Sequence, residues 1–407
     1  MSLSYKRSSA LPAAEAAVTG GLASASAGTP KRVVMVAGEA SGDLHGGALL
    51  RELRARLPGI EVTGVGGPGL REAGMQAVAD TAAIAGMGLV EAADKLWALL
   101  GAYLRLRRLL RSDPPDLLVL IDFPEFNLRL ARVAKRLGVP VLYYIGPQVW
   151  AWRRGRARAM GSTVDRLLVV FPFEPSWYES EGVEASYVGH PLVDCVRPTR
   201  AREETLSRYG LDPERKTVVL LPGSRDQEVR RLLPPLVRAA EILGTQRRYQ
   251  FAAAVAPMLD PAQVERVVRA ASVPIAVVAG DTYNLIHASD LALVASGTAT
   301  LETALLERPM VIAYRVAPLT YALARLLVRV PFIGMPNLIA RRKVVPELVQ
   351  GEATGERIAA EARTILETPV VRDDIVAGLR DVRMRLGSGG AAARAAEVAL
   401  EMLEHGG

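Results

Sequence analysis

The chain has 407 residues, of which 50% are hydrophobic and 23% charged, with a formal net charge of +7 and a pI near 9.6. That length builds two or three domains with ample core, and the basic excess favours an anionic partner such as a nucleotide, a phospholipid surface or a nucleic acid. An aromatic content of 5% argues against base stacking, and the single Cys195 excludes an intrachain disulfide framework and a multi-thiolate metal site; a reduced, cytosolic setting fits.

Residues 1–30, rich in Ser, Ala and Gly, read as a disordered tail, since Glu15 and several glycines break up any signal-like apolar stretch. From Arg32 strand-like and helix-like runs alternate. Apolar strands are expected at Arg32–Val36, Glu61–Val65, Leu117–Ile121, Val139–Tyr144, Arg166–Val170 and Ala185–Val188, the first of them followed by a helix at Ala48–Leu57. Such a pattern indicates a parallel sheet covered on both faces. Residues 196–216 turn polar, with Pro198 and Pro213, and read as a linker plus a short helix. A second series follows at Thr217–Leu221, Gln250–Ala254, Ile275–Val278, Leu291–Val294 and Met310–Tyr314. The tail 355–404 is helical, with breaks near Pro369 and at the glycines of 387–390. The expectation is an α/β protein with domains at 31–196 and 197–370 and C-terminal helices at 371–407. No run reaches ~20 uncharged apolar residues, so no spanning helix is expected.

Several loops carry chemistry. AGEASGDLHGG, residues 37–47, follows the first strand; its glycines permit close backbone approach, and the helix start beyond it offers free amides. Glu39 and Asp43 would repel a phosphate and suit sugar hydroxyls better, the competing reading being a plain turn with Asp43 capping its own helix. GVGGPG at 64–69 has the G-x-G-x-x-G form. It lies on the second strand and contains Pro68, so it is set aside as a dinucleotide loop. Neither a G-x-x-x-x-G-K-[ST] nor an H-E-x-x-H motif occurs, and the 4 histidines are dispersed. In the second series, Pro222, Gly223, Ser224 and Arg225 form a tight turn in which free amides and a fixed guanidinium suit a diphosphate. Ser296, Gly297, Thr298 and Thr300 make a hydroxyl-rich loop, with Glu302 placed to accept two ribose hydroxyls. Simple helix capping by Ser224, Ser296 or Thr298 competes with both readings.

Two apolar segments are also basic. Segment 86–111 carries Lys95, Arg105, Arg107, Arg108 and Arg111 against Glu91 and Asp94, with Leu96, Trp97, Leu100, Tyr103 and Leu104 at helical spacing. It reads as an interfacial helix or, alternatively, as core. Segment 315–343 repeats the theme with Tyr321, Leu326, Leu327 and Phe332 before Arg341, Arg342 and Lys343. WAWRRGRAR, 150–158, sets Arg153, Arg154, Arg156 and Arg158 beside Trp150 and Trp152, either to hold a phosphate or as a solvated face.

Eight stretches in order, AGEASGD (37–43), IDFPEFN (121–127), VWAWR (149–153), FPFE (171–174), VGHPLVD (188–194), LLPGSR (220–225), ASGTATLE (295–302) and MPNLIA (335–340), resemble the lipid-A-disaccharide synthase family. They cover about residues 32–350. The resemblance implies a GT-B fold: two Rossmann-like doubly wound domains facing a central cleft, with C-terminal helices packing back on the N-terminal domain or on a partner. It implies transfer of 2,3-diacylglucosamine from UDP to 2,3-diacylglucosamine 1-phosphate (lipid X), with inversion and with no metal or cofactor. Asp122 is the expected base, a task that suits a carboxylate whose pKa is raised by burial beside Phe123 and Phe126; its competing role is to shape the Pro124 turn. The family has Asp where this chain has Glu125. Asp122, Glu39 and Arg225 form the expected catalytic set. Gly223, Ser224, Arg225, Ser296, Gly297, Thr298, Glu302 and Asn337 are the donor set, and Ser41, Gly42, Asn127, Trp152 and Arg153 the acceptor set. The implied partners are UDP-diacylglucosamine, lipid X and an anionic phospholipid membrane surface on the cytoplasmic face of the inner membrane, with no nucleic acid; a homodimer exchanging C-terminal helices is one arrangement. The alternatives are another GT-B UDP-sugar transferase or epimerase acting on soluble substrates, and a non-catalytic nucleotide- or RNA-binding protein.

Overall fold

The computed structural model describes residues 30–80, 92–151, 155–246, 248–257, 259–318, 320–322 and 331–405. From Lys31 onward the chain forms one compact unit holding two all-parallel sheets. The first contains β1 (Arg32–Ala37), β2 (Glu61–Gly66), β3 (Gln76–Asp80), β4 (Leu117–Ile121), β5 (Val141–Tyr144), β6 (Arg166–Val169) and β7 (Ser186–Tyr187), in the order β3-β2-β1-β4-β5-β6-β7. The second contains β8 (Lys216–Leu221), β9 (Tyr249–Val255), β10 (Ile275–Ala279), β11 (Leu291–Ala295), β12 (Met310–Tyr314) and β13 (Glu347–Val349), in the order β10-β9-β8-β11-β12-β13. Two strands escaped sequence reading: β3, built of small residues, and β13, only 3 residues long.

Both faces of the first sheet are covered, which is why its strands are apolar without a break. Val34, Val36, Leu118 and Leu120 pack on one side with Leu106 and Leu110 of the Ala92–Ser112 helix. Val33, Met35, Val119 and Ile121 pack on the other with Leu49, Leu50 and Leu53. Period-two alternation along each strand assigns these sides.

Each sheet reverses winding direction once, between β1 and β4 and between β8 and β11. At such a switch point the flanking connections leave on opposite faces, and a crevice opens at the strands' carboxyl ends. The register aligns those ends: Ala37 pairs with Ile121, and Leu221 with Val294.

The tail comprises helices Gly355–Glu367, Pro369–Arg385 and Ala391–His405. The expected block 371–407 divides between the two halves. The Pro369–Arg385 helix rests on the second half, against Thr298–Leu305 and Met335–Ala340, while Ala391–His405 packs on the first-half helix Ala40–Arg56. At the crossing, Gly389 adopts φ 91°, and a Cβ there would lie 2.3 Å from an Asp194 carboxylate oxygen. Asp194 accepts the Gly390 amide at 2.8 Å, and Arg394 donates to Val188 O at 2.9 Å.

Candidate functional site

The β1/β4 crevice is made by Glu39 and Asp122, each one or two residues beyond its strand. The helix after β1 starts at Ala40 with Glu39 as its N-cap residue, eight residues earlier than expected. Two consequences follow for the acids and glycines of this loop. Asp43 does not cap its own helix: it is buried, and its carboxylate accepts the amides of Gly67 (2.7 Å), Gly69 (2.7 Å) and Leu70 (3.1 Å). It thereby caps the neighbouring Pro68–Glu72 helix, and the G-x-G-x-x-G loop spends these donors inside the protein. Gly42 is buried against Ala37 and Ile121, so it packs under the loop instead of touching a sugar. Ser41 is exposed beside it.

Asp122 and Phe123 both adopt left-handed backbone, at φ 48° and 50°. For L-residues this costs roughly 1–2 kcal/mol each, and such strain concentrates at functional sites. Fixed bonds hold it. Asn127 Nδ2 donates to Asp122 O at 2.7 Å and to Ile121 O at 3.2 Å, and the Tyr143 hydroxyl donates to Asp122 O at 2.6 Å. Asn127 is completely buried, so the structure corrects its acceptor-contact assignment: it shapes the turn that presents Asp122. Gly38 is required below, because a Cβ there would lie 2.2 Å from the Phe123 ring. Phe123 stacks on Phe126, which meets Tyr103 edge-on. Burial first, and the Glu39 carboxylate second, push the Asp122 carboxyl up from 3.8 to about 6. A group so placed takes up a proton near neutral pH.

The second crevice is a cavity of about 640 Å³. Gly223, Ser224 and Arg225 enter from β8; Ser296, Gly297, Thr298 and Glu302 enter from β11. Gly223 has φ 118°, and a Cβ there would strike Glu228 at 2.6 Å. Ser224 does not cap the Asp226–Gly244 helix. Instead Glu228 reaches back to accept the Ser224 amide at 3.0 Å and the Arg225 guanidinium at 3.1 Å. Arg225 remains 59% exposed in its side chain, within reach of an anion that would replace Glu228. The Thr298–Leu305 helix has no described side-chain cap, so neither Ser296 nor Thr298 plays that part and the helix start faces the cavity. Glu302 accepts the Tyr283 hydroxyl at 3.0 Å; burial raises its carboxyl, and that hydrogen bond opposes the rise.

Sequence reading missed the contribution of β10. Gly280, Asp281, Thr282, Tyr283 and Asn284 follow that strand into the same cavity, and GDTYN at a strand end was the available signal. Burial alone would push the Asp281 carboxyl up, but hydrogen bonds from Tyr209 and Asn284 and the Arg200 guanidinium hold it below the ordinary range.

Asn337 does not line the cavity. It is completely buried; its Oδ1 accepts Val344 N (2.7 Å) and Val345 N (3.0 Å), and its Nδ2 donates to Val345 O and Glu347. Its amide is thus used up in tying the Met335–Ala340 helix to β13. Trp152, Arg153, Arg154, Leu326 and Leu327 lie outside the described residues, as do the side chains of Lys95, Leu96 and Arg156.

The Ala92–Ser112 helix has a core face and an exposed apolar face. Ala102, Leu106 and Leu110 are core, whereas Trp97, Leu100 and Leu104 are 69%, 42% and 51% exposed. Among the described residues no helix is long and apolar enough to cross a membrane.

Residues 33–385 match the family model described as lipid-A-disaccharide synthetase. The lipid-A-disaccharide synthase of Geobacter metallireducens is 48% identical over 92% of this chain and 97% of its own length. That of Syntrophus aciditrophicus is 47% identical over 92% and 98%, and that of Myxococcus xanthus 43% over 93% and 99%. Among solved structures, the UDP-GlcNAc 2-epimerase of Neisseria meningitidis, bound to UDP-GlcNAc, superposes with a TM-score of 0.64 over 91% of this chain and 100% of its own, at 13% identity. MurG of Acinetobacter baumannii gives 0.57 over 91% and 100%, at 14% identity. Those two likenesses speak for the GT-B fold; the family match and the near-half identity over nine-tenths of the length establish that this chain belongs to the lipid-A-disaccharide synthase family.

Proposed function

We propose that the chain condenses UDP-2,3-diacylglucosamine with 2,3-diacylglucosamine 1-phosphate, giving the β-1′,6-linked disaccharide 1-phosphate and UDP. The observation that carries this reading is the pairing of two switch-point crevices, one holding a carboxyl raised to about 6, the other a nucleotide-sized cavity edged by Arg225 and Glu302. Residues 31–196 serve the acceptor and 197–370 the donor.

Asp122 takes the proton of the acceptor 6-hydroxyl as that oxygen attacks the anomeric carbon. The bond from that carbon to the diphosphate breaks from the opposite face, its electron pair leaves with UDP, and the configuration inverts. Glu39 raises the basicity of Asp122 by like-charge proximity. Arg225 and the amides of the Gly223–Ser224 and Gly297–Thr298 loops meet the charge growing on the diphosphate. For Arg225 and the Ser224 amide this means exchanging Glu228 for phosphate. Glu302, oriented by Tyr283, accepts the ribose hydroxyls. Ser41 touches the acceptor sugar.

Diacylated substrates reside in a bilayer. The exposed row Trp97, Leu100 and Leu104, with Arg108 and Arg111 exposed on the same helix, supports peripheral attachment to an anionic surface on the cytoplasmic face of the inner membrane. Tyr103, between them in sequence, packs on Phe126, so the lipid-facing helix sits on the turn that carries Asp122. The test is UDP release from a panel of UDP-sugars, acylated and not, with and without the monosaccharide 1-phosphate. Equal release from non-acylated donors would favour the soluble-substrate alternative.

A further inference from the structure

A second cavity, of about 760 Å³, opens at the amino ends of strands in the second sheet. Asp290 and Pro309 line it just before β11 and β12 begin, whereas the nucleotide cavity sits where β11 ends. Its cations include Arg308 and, from the Pro369–Arg385 helix, Arg372, Arg380 and Arg383. Arg197 lines both cavities.

The two carboxylates here are already engaged. Glu307 pairs with Arg380 at 2.9 Å and Arg383 at 3.1 Å. Asp290 pairs with Arg202 at 2.9 Å and accepts the Thr217 amide at 2.8 Å. Arg308 has no carboxylate within ion-pair distance among the described residues; Asp290 and Glu307 act on it only at longer range. It is half-buried, its Nε is enclosed with no partner, and its hydrogen-bonding neighbour is His287 Nδ1 at 3.4 Å. Burial holds its guanidinium below the ordinary range, yet arginine keeps its charge in proteins. A half-buried cation whose nearby carboxylates are paired with other arginines has hydrogen-bonding capacity left for a mobile anion, and the planar fork of guanidinium donors matches phosphate oxygens.

We propose that this cavity binds a phosphate-bearing anion, with Arg308 as its half-buried anchor and Arg372, Arg380 and Arg383 along its wall. Val193, Val196, Arg197 and Pro198, and Gly387 and Ser388, from the two segments that join the halves of the molecule, also line it. An occupant therefore bridges both connections and stiffens them.

The test is titration of the full chain with inorganic phosphate at constant ionic strength, followed by phosphorus NMR and thermal unfolding. A parallel arm measures flotation with phosphatidylglycerol vesicles. With the nucleotide cavity saturated by UDP, wild type should still bind phosphate, and Arg308→Gln should bind it about tenfold or more weakly. Loss confined to free phosphate identifies a soluble anion; loss confined to vesicles identifies a lipid headgroup. Should Arg308→Gln fail to fold, the double variant Arg372→Gln/Arg380→Gln, altered only at exposed side chains, carries the same comparison. Equal binding of both probes by wild type and the cavity variants overturns the proposal, as does loss of all phosphate binding once UDP fills the nucleotide cavity.

Discussion

Replacing Asp122 by Asn should slow transfer and stabilise the fold at once. The native carboxyl stands at about 6 against 3.8, a rise of about two units, and each unit is worth about 1.36 kcal/mol. The native state therefore holds this proton more tightly than the unfolded chain does. The stability so conferred is complete below about pH 3.8 and is lost as pH rises through about 6. At pH 8 the wild type bears the whole penalty, with a ceiling of ~3 kcal/mol. Asp122 is only half-buried, and solvent screening brings the expected gain for Asn to roughly 1–2 kcal/mol. Asn also tolerates the left-handed φ of 48°. Urea unfolding at pH 8 should show the variant more stable, with the difference shrinking towards pH 5. Transfer should fall by ~10²–10⁴ with UDP affinity intact, while the wild-type rate climbs through about pH 6. A variant less stable than wild type at pH 8, or one that turns over normally, would refute the assignment of Asp122 as a burial-tuned base.

Arg225→Ala should weaken UDP binding by about 10–150-fold, the worth of a charge-assisted hydrogen bond, as read by calorimetry; strict Mg²⁺ dependence of wild-type transfer, tested with a chelator, would count against Arg225 as the main diphosphate partner. Trp97→Ser with Leu100→Ser should change stability by no more than about 0.5 kcal/mol, as surface substitutions do, yet lower vesicle co-sedimentation and activity on acylated acceptor. Asn337→Ala strands the buried amides of Val344 and Val345, so thermal stability should fall by about 1–3 kcal/mol per amide, while UDP affinity of the folded protein stays within a few-fold. Gly38→Ala places a methyl 2.2 Å from the Phe123 ring; a folded variant with displaced aromatic fluorescence and normal turnover would show that the Phe123 turn is not needed.

Much of this protein is local and therefore legible. The strands reveal themselves because a parallel sheet covered on both faces needs unbroken apolar runs: Leu117–Ile121 and Met310–Tyr314 are read to the residue. The loops holding Asp122, Arg225 and Glu302 are legible too, since they follow such strands. β3 and β13 are not, because their segments acquire strand character only from a neighbour's hydrogen bonds.

What tertiary structure alone decides is where each polar group spends its hydrogen bonds. From sequence, Asp43, Asn127 and Asn337 look as available to a ligand as Glu39 and Glu302. Folding brings Gly67 and Gly69 to Asp43, the Asp122 carbonyl to Asn127, and two backbone amides to Asn337. Most buried polar groups find a partner wherever the chain places them, although the Asn127 Oδ1 has none among the described residues, and the partners lie up to 27 residues away. The same holds for Arg308, since sequence does not show that Asp290 and its neighbour Glu307 pair with other arginines. Sequence determined which residue types stand at the strand ends; only the assembled fold determined which of them still have hydrogen-bonding capacity to offer a substrate.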